Sequence, residues 1–296
     1  MAIKIISGIL VLMTIVFVVI FMKDWIKTKK EGKLEKGSFL VFGIIGFIVN
    51  FFDTLGIGSY APTTAIFKFF KLVDDRIIPG TLNVATTVPV VVEALVFMTV
   101  IKVDIATLVA MIISATLGVY FGAGIVSKLP ERKVQLGMGT ALLVVAGLML
   151  IGLLGIMPVG GEATALTGWK LVVGVVGNFI LGALMSLGIG IYAPCMALVF
   201  LLGMSPKVAF PIMMGSCAYL LPVGSARFVR EGAYNRKASL PINLFGIVGV
   251  LIAAFIVKEL PLTTLKWIVV FVIIFASMMM FNSARKSKAA LKNQTA

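Results

Sequence analysis

Apolar runs of bilayer length follow one another along almost the whole chain, separated by short charged patches, and few folds tolerate that arrangement. A helix needs about 20 apolar residues to cross the hydrocarbon core of a bilayer. Ile3–Met22 is the first such run. Others cover 39–56, 79–101, 104–127, 133–156, 168–187, 207–228, 239–257 and 262–282, with two shorter runs at 59–73 and 191–203. In lipid every backbone amide needs a partner inside the protein, so only helices and closed barrels can span. The short alternating segments of a barrel are missing here. With 60% hydrophobic and 13% charged residues among 296, the chain reads as an all-α polytopic membrane protein. The first run is too long for a signal-peptide core and lacks a small-residue cleavage site, so it is expected to remain as a transmembrane helix.

Basic residues orient the chain. A net charge of +14 would suit a nucleic acid, but the lysines and arginines sit between apolar runs, as topogenic charge does; no nucleic-acid partner is expected. They cluster at 23–36, at Lys68, Lys71 and Arg76, at Lys128, Arg132 and Lys133, at Arg227–Lys237, and at Arg285–Lys292. Placing these clusters in the cytoplasm leaves 157–168 and 258–262 outside, with the N-terminus outside and the C-terminus inside.

The chain also repeats itself. Leu55–Pro62 reads LGIGSYAP, and 132 residues later Leu187–Pro194 reads LGIGIYAP. GVYFGAGIVSKLP, ending at Pro130, is likewise answered by GVLIAAFIVKELP, ending at Pro261. The expected organisation is an N-terminal helix with a basic loop (1–37), a first five-segment repeat (38–157), an external linker (158–167), a second repeat (168–284) and a basic cytoplasmic tail (285–296). The first unit begins inside and the second outside, so the two are expected to be inverted relative to each other.

Each octet should break a helix. Glycine lowers helix propensity by about 1 kcal/mol, and an interior proline costs about 3. In the first turn of a new helix, however, the missing proline N–H does no harm. New helices are therefore expected near Tyr60 or Ala61 and near Tyr192 or Ala193. Unpaired backbone persists in a membrane only inside protein or beside a watery cavity. Two broken or re-entrant helices meeting at the midplane would form a substrate site, each presenting an N-terminus rich in free N–H groups. An anion suits such a site. Gly56, Gly58, Gly188 and Gly190 would let it approach the backbone, and Ser59, Tyr60, Thr63 and Tyr192 would supply hydroxyls. Tight glycine packing of helices is the alternative use of these residues.

The octets, set in two tandem modules, resemble the TauE/SafE sulfite-exporter family, also called TSUP, over nearly the whole chain after residue 38. The resemblance implies a secondary transporter in the cytoplasmic (inner) membrane of a prokaryote, moving sulfite, thiosulfate, an organosulfonate or a small carboxylate.

Polar residues inside the runs extend the candidate site. Asp53 precedes the first octet, where the second half has Met185. It is either a cap on the broken helix or a carboxylate that couples transport to protons or sodium, since such charges are expensive in lipid. Glu93 is a second coupling candidate. Asn83 and Thr87, four residues apart before it, lie on one helix face; Gly215, Ser216, Cys217 and Tyr219 occupy the matching place. They either complete the site or bond helix to helix. Lys68, near a helix end, is expected to snorkel to the surface.

No enzyme is expected. The chain has no histidine, no paired intramembrane carboxylates and no CxxC spacing for Cys195 and Cys217, so neither a metal nor a cofactor is anticipated. The expected partners are a small anionic solute and the lipid bilayer, with a homo-oligomer left open. The expected function is a secondary anion carrier, proton-coupled. The alternatives are a sodium- or cation-coupled carrier using Asp53, and a non-transporting membrane scaffold.

Overall fold

The first long apolar run is a single helix, α1 (Ala2–Lys30). A computed structural model of the protein describes residues 2–55, 57–97, 104–156, 161–188, 190–255 and 262–294. The other helices are α2 (Phe39–Thr54), α3 (Tyr60–Phe69), α4 (Ile78–Phe97), α5 (Ile105–Val126), α6 (Glu131–Leu153), α7 (Gly168–Met185), α8 (Tyr192–Leu201), α9 (Pro206–Arg230), α10 (Arg236–Phe255) and α11 (Leu262–Gln294). A 3-10 turn, Asp75–Ile77, leads into α4. Among the described residues, seven helical stretches are long and apolar enough to cross a membrane. Leucine, isoleucine and valine side chains such as Leu12, Ile125 and Val172 stand exposed on the outside of the bundle. That surface suits lipid contact.

Helix ends are set by local chemistry. Asp104 caps α5, accepting bonds from the Thr107 N–H at 2.8 Å and the Thr107 hydroxyl at 2.7 Å. These two bonds hold its carboxyl below the ordinary range. The stabilisation is therefore complete above the unfolded-state value and is lost as pH falls through the lower folded-state value. Asp104→Ala is expected to cost about 1 kcal/mol, read as a lower melting temperature that converges on the parent's in acid.

The two halves of the chain interleave rather than stand apart. α2 packs along α10 and α5 along α7, while α4 meets α9 and α6 meets α11. Small residues allow the closest crossings. A Cβ on Gly118 would overlap the Phe179 carbonyl of α7, and one on Gly182 would overlap the Ala115 carbonyl of α5. Between α2 and α10, Gly46 lies against the Ile242 backbone and Gly249 against the Phe47 carbonyl. Such contacts replace a hydrophobic driving force that lipid cannot supply. Buried asparagines reinforce them: Asn178 of α7 donates to the Met111 carbonyl at 2.7 Å and to the Ser216 hydroxyl at 2.9 Å. Asn243 of α10 accepts from the Val88 N–H at 3.0 Å and donates to the Val84 carbonyl at 2.8 Å, beside the helix-interior Pro89 of α4.

Polar contacts gather the helix ends at two opposite ends of the bundle. At the basic end, Arg236 opens α10 and bonds Asp24 of α1 at 2.7 Å and Glu35, ahead of α2, at 3.1 Å. The Asn235 N–H donates to Thr81, on the first turn of α4, at 2.9 Å. Next to it, Lys68 of α3 pairs with Asp75 and donates to Ser283 of α11 at 2.8 Å, and Gln135 of α6 donates to Asp75 at 2.9 Å. Lys68 is thus buried and anchored; it does not snorkel, because Asp75 of the 3-10 turn and Ser283 of α11 satisfy its ammonium. At the far end, the Leu166 N–H ahead of α7 donates to Thr107 of α5 at 3.0 Å. There Gly161 and Ala163 bond the carbonyls of Met204 and Gly203, just after α8, at 3.0 and 3.2 Å. So α2 starts and α3 finishes at the basic end, whereas α7 starts and α8 finishes at the far end. Each short pair enters the bundle and turns back.

Candidate functional site

Both turning points lie at the octets. In the first, the Ile57 N–H reaches the Phe52 carbonyl at 3.1 Å, and Gly58 takes φ +88°. Asp53 then bridges the break. Its two oxygens accept the Ser59 N–H at 3.0 Å and the Ser59 hydroxyl at 2.8 Å. α3 begins at Tyr60 with Pro62 in its first turn, as its chemistry requires. In the second, Gly188 takes φ +89°, its N–H bonded to the Met185 carbonyl at 2.9 Å, and α8 begins at Tyr192. Met185 and Ile191 stand where the first half has Asp53 and Ser59, so the carboxylate–serine bridge belongs to the first break alone. Gly56, a candidate by sequence, lies outside the described residues.

The two breaks face each other across one cavity of about 290 Å³. Asp53, Gly58, Ser59 and Tyr60 line it from one side, and Gly190, Ile191 and Tyr192 from the other. A Cβ on Gly190 would lie 3.9 Å from the Tyr60 Cβ. Val90 of α4 and Met213 and Cys217 of α9 form the floor, and the last turns of α6, Val145 to Leu153, form the remaining wall. Asp53 sits fourteen residues into α2, roughly 21 Å from the basic end. The site is therefore deep in the bundle, and its α6 wall leads toward the far end.

Its electrostatics are unusual. The first N–H groups of α3 and α8 have no intrahelical partner and carry the positive ends of two helix dipoles. Among the described residues, no lysine or arginine lines the cavity. Two fully buried carboxylates are close enough for their charges to interact, Asp53 on the lining and Glu93 behind Tyr192. The sequence showed no paired intramembrane carboxylates; the fold places these two, from α2 and α4, within range of each other's charge. The Tyr192 hydroxyl makes a long 3.4 Å bond to Glu93 Oε1, while Glu93 Oε2 has no partner. The Tyr60 hydroxyl lies beside Thr86 without completing a hydrogen bond. It is buried, with bonding capacity to spare.

Several residues singled out by sequence do other work. Thr63 donates its hydroxyl to the Ser59 carbonyl at 2.6 Å, and the Ser59 hydroxyl is committed to Asp53. Asn83 donates to the Pro79 carbonyl at 2.9 Å. Thr87 bonds the Asn83 carbonyl and the Ser225 hydroxyl, each at 2.7 Å, which joins α4 to α9. Thr63, Asn83 and Thr87 do not line the cavity. Gly188 packs against Met138 and Leu82. Of the stripe in the second half, Cys217 reaches the cavity and Ser216 serves Asn178. The α6 wall went unread, as did Met149, Met185, Met196 and Met213. Apolar residues that face a cavity carry no sequence mark distinguishing them from those that face lipid.

The described octet glycines are not equivalent. Gly58 holds a left-handed φ with open space around its Cβ position, so backbone strain alone opposes substitution there, at about 1–2 kcal/mol. Gly190 has no left-handed φ and only ordinary contact. Gly58→Ala is expected to reduce transport by tenfold or more, and Gly190→Ala by less than twofold, in vesicles holding equal amounts of each variant.

The family model Sulfite exporter TauE/SafE matches residues 1–149 and 170–296. A search of curated proteins found no match, and neither did a search of solved structures. With its helical bundle, its paired octet breaks and a family match over both halves, the chain belongs to the sulfite exporter TauE/SafE family of membrane transporters.

Proposed function

We propose that this protein is a secondary carrier in the cytoplasmic membrane of a prokaryote, moving a small oxyanion, sulfonate or carboxylate through the cavity between the two octets. One observation carries the reading: the N-termini of α3 and α8 converge on a single deep cavity that Tyr60 and Tyr192 also line. Backbone N–H groups and tyrosine hydroxyls would hold the anion where no lysine or arginine is present. The orientation that fits the basic clusters places the basic end in the cytoplasm, the N-terminus outside and the C-terminus inside. The repeats are then inverted, since the first begins at the basic end and the second at the far end.

Coupling follows from the same inventory. An anion entering a site that already holds Asp53 and Glu93 adds negative charge in a desolvated space, which is tolerable only if a cation arrives with it. A proton on one of the two carboxylates is the simplest such cation. The unpartnered Glu93 Oε2 favours a sodium ion as the second reading.

The test is direct. Purified protein is titrated with sulfite, thiosulfate, a short alkyl sulfonate and acetate, and its melting temperature followed. A ligand at 100 times its Kd adds about 2.7 kcal/mol. Tyr60→Phe/Tyr192→Phe should weaken that stabilisation, each lost hydrogen bond to a charged group being worth about 1.5–3 kcal/mol. If none of the anions stabilises the protein while sodium does, the cation reading replaces this one.

A further inference from the structure

A second cavity, of about 330 Å³, runs between α1 and α9 and is unrelated to the octets. α1 contributes a purely apolar wall, Leu12, Met13, Val16, Phe17 and Ile20. The opposite wall, from α9, is apolar at Pro222, Val223 and Ala226 and then ends in Arg227 and Arg230. Tyr120 of α5 closes the side, and the Arg227 guanidinium lies 5.6 Å from its ring centroid. From Leu12 to Ile20 the groove measures roughly 12 Å along the helix. The charged mouth is at the basic end, because Tyr234 and Arg236, just past α9, bond Asp24 of α1 there.

We propose that this groove binds an anionic phospholipid of the leaflet at the basic end, with its phosphate at the arginines and its acyl chains along α1. The two guanidiniums are placed for that task. Arg230 is exposed at the groove mouth. Arg227 has an ion pair with Glu231 at 3.2 Å, yet its buried Nε has no well-formed hydrogen bond. Lys23 lies one turn beyond Ile20 on the same stripe of α1 and is exposed, adding a third cation at headgroup depth. A free inorganic anion would satisfy the arginines but leave the apolar groove without a partner. A zwitterionic lipid would fill the groove but bring a quaternary ammonium, along with its phosphate, to a mouth that already holds three cations. Only a molecule with both parts matches both walls.

The experiment compares dioleoyl phosphatidylglycerol with dioleoyl phosphatidylcholine on the full chain in detergent, following the melting temperature and the lipid retained in native mass spectra. Phosphatidylglycerol should be retained and should raise the melting temperature well beyond the effect of phosphatidylcholine. Lys23→Gln/Arg230→Gln, both at exposed positions, should weaken the preference for the anionic lipid by about tenfold or more, since each cation near an anionic surface contributes roughly a factor of five. Val16→Trp should displace lipid while leaving the charges in place. Equal retention of the two lipids overturns the proposal, as does an anionic preference unchanged in the double variant. Stabilisation by inorganic phosphate equal to that by phosphatidylglycerol also overturns it.

Discussion

Asp53→Ala is expected to abolish transport, whereas Asp53→Asn is expected to keep the first break intact and lose the response to a pH gradient. Asp53 is 2% exposed and accepts both bonds that Ser59 can offer. Alanine leaves a buried N–H and a buried hydroxyl unsatisfied, at about 1–3 kcal/mol each, and frees the chain around Gly58. Asparagine keeps both links. Its Oδ1 accepts the Ser59 N–H, and its Nδ2 donates to the Ser59 hydroxyl oxygen. What asparagine lacks is a titratable proton. In proteoliposomes with an imposed pH gradient, the asparagine variant should bind anion but accumulate none against its gradient. If it accumulates anion as the parent does, Asp53 only pins the break and the proton resides elsewhere. Glu93→Gln is then the variant that must lose the response.

Gly118→Leu is expected to remove most of the folded protein. The obstacle beside Gly118 is the carbonyl of Phe179, which as main chain cannot rotate away as a side-chain tip can. α5 and α7 would have to separate along their closest stretch. Overpacking usually costs about 1–3 kcal/mol, and a main-chain clash belongs at or above the top of that range. Gly147→Leu on α6 is the control, because nothing lies within 4 Å of its Cβ position. It should stay within about 0.5 kcal/mol of the parent. Monodisperse yield on size exclusion and the melting temperature separate the two outcomes.

What was legible in the sequence was local. The breaks were legible because glycine and proline act on their own few residues, and the observed starts of α3 and α8, Tyr60 and Tyr192, match those expected. The places of the described helices followed from the apolar runs, although α1 and α11 continue past theirs to Lys30 and Gln294. Partner choice was not legible. Nothing in the composition of α2 distinguishes α10 from any other apolar neighbour, and Gly46 shows its purpose only once Ile242 lies against it. The electrostatic coupling of Asp53 with Glu93 escaped for the same reason, since it depends on how α4 docks beside α2. The fate of Lys68 depended on Asp75 and Ser283, the second of them far along the chain.

The interleaving of the two halves of the chain also imposes a timetable on synthesis. Gly249, which meets Phe47 in the finished bundle, leaves the ribosome about 200 residues later, a delay of roughly 10–40 s at usual elongation rates. Throughout that interval the glycine face of α2 is exposed to lipid without its partner, and α2 is only 16 residues long. The nascent first half therefore has to be held at the insertion machinery, or tolerated in the membrane, until α10 arrives. A ribosome that stalls before residue 236 leaves a fragment whose open glycine face fits the α10 of another copy, and that makes incomplete chains of this protein a hazard to complete ones.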